Sequence, residues 1–141
     1  MVFLPTWSAR NDVERKGFSN RIKSYYKSHA RLENPNYYFL DDKGKLVPRG
    51  YEIIECCKAH DLTLGMGHVS WQESLAFIEA ARELGYSHRL VVNHVQSHII
   101  AMPVDAMKRA AEMGAPRAVT EDHDAVGGRP RLVVDQCATV Q

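Results

Sequence analysis

The sequence predicts an α/β fold with a parallel sheet and flanking helices, and three observations carry that prediction. Two short apolar runs bounded by turn residues, Leu62-Thr63-Leu64-Gly65 and Arg89-Leu90-Val91-Val92-Asn93, read as buried strands. The span between them has the length and period of one amphipathic helix, and a second helical stretch follows the second strand. Helices alternating with strands in this way imply parallel strands joined by right-handed crossovers.

Taken in order, Val2-Phe3-Leu4 is a strand, followed by Pro5-Thr6-Trp7. Residues Asn11 to Asn36 are polar and basic, with Arg15, Lys16, Arg21, Lys23, Lys27 and Arg31 among Tyr25, Tyr26, Tyr37 and Tyr38. Basic residues interleaved with aromatics suit an anionic ligand or nucleic acid, but a solvated insertion loop is the simpler expectation at this net charge. A turn at Asp42-Lys43-Gly44 precedes a short helix, Tyr51 to His60, with Ile53, Ile54 and Cys57 on its inner face.

The central helix is signalled at both ends. Ser70-x-x-Glu73 forms a capping box, and Gly85 supplies the left-handed residue that ends the helix. Leu75, Ile78, Ala81 and Leu84 form one apolar stripe between those ends. Pro103 opens a further helix, Val104 to Met113, stopped by Gly114. Past Ala115 only Arg131-Leu132-Val133-Val134 reads as a strand, so residues 116–141 form a divergent tail to a single domain.

Composition narrows the function. A chain of 141 residues buries one core but is well short of the roughly 250 residues of a closed (β/α)8 barrel. A formal net charge of +1 offers no electrostatic case for nucleic acid or an anionic membrane. No apolar run approaches the ~20 residues of a membrane span, and Met1-Val2-Phe3-Leu4-Pro5 lacks the pattern of a signal peptide; a soluble cytoplasmic protein is expected. Cys56, Cys57 and Cys137 form neither a disulfide framework nor a metal knuckle and are expected as reduced thiols. Gly65-x-Gly67 has too few glycines for a dinucleotide loop, and no G-x-S-x-G nucleophile elbow occurs.

The chemistry-bearing feature is a pair of histidines. His68 and His94 each follow a strand, about one βα repeat apart, so in parallel neighbours both emerge at the carboxyl edge where α/β folds build their sites. Neutral imidazole is a common ligand for transition ions, and a metal with an open position activates water. The alternative is a pair of histidines that only hydrogen-bond the loops at that edge. His98 and His123 are weaker candidates, since a lone histidine is more often a solvated side chain. Glu73 is explained by capping, and Asn93, by strand alternation, points away from the His94 site.

A family resemblance adds to this reading. Pro5-Thr6 after an apolar strand, Gly44-Lys45-Leu46, the block Leu64-Gly65-Met66-Gly67-His68-Val69-Ser70 with Glu73, Ala80 with Leu84-Gly85, Val91-Val92-Asn93-His94, and Met107 with Ala110 and Met113-Gly114-Ala115 together resemble an internal portion of an amidohydrolase-like metal-dependent hydrolase of the DUF6282 type. The likeness spans residues 1 to about 115. It implies a partial (β/α) TIM-barrel-like sheet, a divalent cofactor (zinc first, manganese second), and His68 and His94 in the places of that superfamily's two single strand-end histidines. His98 and Asp135 are possible additional ligands. The superfamily's H-x-H pair is missing from this sequence, and Asp135 is the one candidate by position for its strand-ending aspartate. The activity implied is hydrolysis of an amide, ester or phosphoester of a small molecule. A non-catalytic partial barrel that binds a small molecule or assembles is the alternative, and a decarboxylase or hydratase on the same scaffold is a third possibility. An incomplete parallel sheet leaves exposed edges, so a homo-oligomer is expected.

Overall fold

A computed structural model describes residues 1–15, 17 and 36–115, together with the backbone of residues 117–120 and 133–134. The described elements are β1 (Val2–Phe3), α1 (Arg10–Glu14), α2 (Pro48–Ala59), β2 (Leu64–Gly65), α3 (Trp71–Glu83), a 3-10 turn (Ser87–Arg89), β3 (Leu90–Asn93), α4 (Val104–Glu112), β4 (Arg117–Thr120) and β5 (Val133–Val134). The strands form one sheet in the order β1-β2-β3-β4-β5. Val2 pairs with Leu64 and Leu64 with Leu90, and Val91 pairs with Arg117; these three pairings are parallel. The β4–β5 pairing is antiparallel.

The period-two alternation of each strand divides the sheet into two faces. Leu64, Leu90 and Val92 lie in the core with Ile54 and Cys57 of α2, Leu75, Phe77, Ile78 and Ala81 of α3, and Ala106 and Ala110 of α4. Helix α2 packs on α3 and α3 on α4, so the three form one layer over this face. Burial of such apolar surface at roughly 25 cal/mol per Å² is the main stabilising term. Phe39 meets Phe77 edge to face with centroids 5.3 Å apart, holding the segment before α2 against the middle of α3.

Element ends follow the local chemistry. Helix α3 begins at the expected capping box, with both reciprocal bonds formed, and Gly85 lies just past its end at φ 66°. Helix α2 starts at Pro48, three residues before the expected start, because the fixed φ and missing N–H of proline suit a first helical turn.

Three expectations are corrected. Residues 11–14, expected in a solvated loop, belong to α1, and Asn11 and Asp12 on it are buried. Strand β4 lies where no strand is expected, because Arg117-Ala118-Val119-Thr120 has no apolar run and is a strand by pairing with β3. Of the strand expected over residues 131–134, Val133–Val134 are described, and they pair antiparallel with β4 in a sheet expected to be parallel. Cys56 is exposed and Cys57 buried, both as free thiols, and burial pushes the Cys57 thiol up. Cys137 lies outside the described residues. Among the described residues no helix is long and apolar enough to cross a membrane.

Candidate functional site

Because β2 and β3 are parallel neighbours in register, the chain leaves both at the same edge. After β2 it turns sharply at Gly67, whose φ is +60°; a Cβ there would stand 2.4 Å from the Leu4 carbonyl oxygen, so the turn needs glycine on both counts. The Gly67 N–H donates to the Asn93 carboxamide oxygen (3.2 Å), and the His68 N–H donates to the Pro5 carbonyl (3.1 Å). These bonds tie the turn to β3 on one side and to the end of β1 on the other. Asn93 thus braces the turn that carries His68, a part the expectation from strand alternation did not give it.

After β3, His94 takes a left-handed backbone conformation at φ 54°, which is sparsely populated for side chains with a Cβ. The chain then turns through a loop closed by Met102 N–H donating to the Val95 carbonyl (2.9 Å). The outcome is that the two imidazoles meet, with centroids 5.3 Å apart and planes at 72°. His68 is buried and His94 half-buried.

Helix α1 supplies what the sequence reading missed. Asp12, fully buried, bonds His68 through Oδ1 and Nδ1 at 2.7 Å. Its neighbour Asn11 donates both carboxamide protons, to the carbonyls of His68 (3.1 Å) and Ile99 (2.9 Å). Arg15 adds a bond to the His98 carbonyl (3.1 Å). So the segment after β1 clamps the loops after β2 and β3 together. The signal available in the sequence was position: Asn11-Asp12 follow an apolar strand, as His68 and His94 do, and the polarity of the stretch behind them hid it.

His98 is exposed, and its described bond is through the backbone carbonyl. Asp135 and His123 lie outside the described residues. Glu73 is fully buried and structural: Oε2 accepts from Ser70 N–H (2.8 Å) and Ser70 Oγ–H (2.6 Å), and Oε1 from Phe39 N–H (3.0 Å). Burial raises its pKa, against the opposing pull of those bonds. An open cleft of about 730 Å³ lined by Arg10, Glu14, Arg15, Tyr38, Ser70 and Gln72 shares Asn11 with the cluster but contains neither histidine.

The donor set matches a metal in kind. A ligating imidazole commonly has a carboxylate at its second nitrogen, and Asp12 Oδ1 lies 2.7 Å from His68 Nδ1. In number it supplies two ligands, since among the described residues no group of three or more His, Cys, Asp or Glu is arranged to hold an ion.

Fold and site together define the class: an α/β protein with a polar cluster built at the carboxyl edge of a parallel sheet. Within that class the chain belongs to DUF6282, a family of unknown function, whose profile matches residues 1–116. No curated protein and no solved structure matches the chain.

Proposed function

We propose that the protein is a metal-dependent hydrolase of the amidohydrolase-like type, acting on an amide, ester or phosphoester of a small molecule. The observation that supports this reading is the convergence of His68 and His94 from the ends of two neighbouring parallel strands. The sheet is read as part of a (β/α) barrel, supported by four parallel strands lying in chain order with their helices in one layer. On this reading the two imidazoles hold a divalent ion, zinc before manganese, and Asp135, His98, water or a partner chain completes the shell. Zinc, when bound, supplies Lewis acidity and an acidified water at neutral pH. The chain's own residues orient the ligands and, through the buried side of the cluster, limit access of bulk water.

Metal content measured by mass spectrometry on chelator-free protein tests this. The parent is expected to retain stoichiometric metal, and a His68→Ala, His94→Ala double variant to lose it. A folded parent without metal, and without uptake of added zinc, overturns the proposal and favours a non-catalytic binding or assembly role. Association into a homo-oligomer is part of the proposal, supported by the position of β1 at the edge of the sheet with Val2 and Phe3 exposed.

A further inference from the structure

We infer that Asp12 is a positioning residue that holds His68 with its proton on Nδ1, so that Nε2 is the ring nitrogen with a lone pair to offer. Asp12 is fully inside the protein, on a five-residue helix too short to persist without tertiary contacts. A carboxylate so placed is retained only with strong partners. One partner is the His68 Nδ1 at 2.7 Å, the short range of a charge-assisted bond. With Asp12 as the carboxylate, which only accepts, the 2.7 Å contact takes Nδ1 as its donor, and a neutral imidazole that donates at Nδ1 is an acceptor at Nε2. The contact is protected from behind. Gly17 closes on Asp12 through its N–H to the Asp12 carbonyl (2.9 Å), and any side chain at residue 17 would place its Cβ 2.3 Å from Oδ1.

The backbone of His68 is held independently of its ring. Asn11 anchors the His68 carbonyl and Pro5 the His68 N–H, so the main chain is fixed by one set of bonds and the imidazole by another. Loss of Asp12 is therefore expected to alter the ring's tautomer and orientation while the turn stays in place. The tautomer assignment stands without a metal; its effect on zinc binding rests on the reading proposed above.

The test uses the full chain, labelled with ¹⁵N and free of metal, at about pH 8.5. Long-range ¹H–¹⁵N correlations identify which His68 nitrogen carries the proton, with His68→Gln assigning the signals. The parent is expected to show Nδ1 protonated and Nε2 bare. In Asp12→Asn the amide can donate to Nδ1, and in Asp12→Ala Nδ1 has no acceptor at that place, so proton density moves to Nε2. An Asp-to-Asn change in a Ser-His-Asp triad produces such a wrong tautomer. Zinc titrated into the same samples is expected to bind the variants about 10- to 100-fold more weakly than the parent. A parent with its proton on Nε2 overturns the inference without any substitution, as do two folded variants that both keep the parent tautomer. A parent with bare Nε2 that binds no zinc sustains the role of Asp12 and overturns the metal reading alone.

Discussion

Glu73 shows how one side chain answers two demands. It caps α3 through Ser70 and pins Phe39, and both require a desolvated carboxyl. Burial outweighs those bonds and raises its pKa above the ordinary 4.5. The folded chain therefore binds this proton at a pH where the unfolded chain has released it, and stability falls as pH rises from the ordinary carboxyl value through the raised one. Urea denaturation of the parent and Glu73→Gln across about pH 4 to pH 7 checks this. Gln preserves the capping box and does not titrate, so the parent is expected to lose stability relative to the variant as pH rises. Parallel profiles count against it. The capping role was legible in the sequence, because it depends on a local spacing of three; the bond to Phe39 was not, because it crosses the fold.

At the scale of elements, α1 and the loop after β3 make opposite uses of backbone conformation. Helix α1 is short and is held by side chains, above all by Asn11 bridging two carbonyls. Asn11→Asp removes both donors and sets a carboxylate against two carbonyl oxygens; a loss of about 2–3 kcal/mol is expected in urea unfolding, with zinc retention falling alongside. The loop from His94 to Ala101 starts and ends on left-handed residues, His94 at φ 54° and Ala101 at φ 45°. Ala101 is exposed, so Ala101→Gly is expected to raise stability by roughly 0.5 kcal/mol, the relief of strain outweighing the added freedom of the unfolded chain. Ala111→Gly, at an exposed position of α4, is expected to lower it by about 1 kcal/mol. Equal signs for the two glycine variants, read by thermal denaturation, would sink the strain argument. At His94 the same conformation directs the chain away from β3 and beside His68. Strain of this kind gathers where geometry matters more than stability.

For the whole molecule, the sheet edge at β1 has a predicted consequence. Phe3 is 55% exposed on that edge, and no charge or proline lies within the strand. Light scattering at micromolar concentration is expected to report a species larger than one chain. Phe3→Lys, which places a charge where natural edges carry one, is expected to move it toward the monomer. A parent that scatters as a monomer refutes the association.

What the sequence determined by itself is the succession of β1, α2, β2, α3, β3 and α4 and the identity of the two strand-end histidines. Periodicity, the capping box at Ser70 and Glu73, and the stops at Gly85 and Gly114 are relations between near neighbours in the chain, and the chemistry that sets them acts over a few residues. The tertiary structure alone decided that β4 is a strand, that β5 reverses direction, and that Asn11 and Asp12 leave solvent to bind the histidine loops. Each of those depends on partners remote in the chain: a ladder offered by Val91 to Asn93, a carbonyl at Ile99, an imidazole at His68. A polar residue reads as solvated until the fold brings it a buried partner, and no local pattern records that meeting.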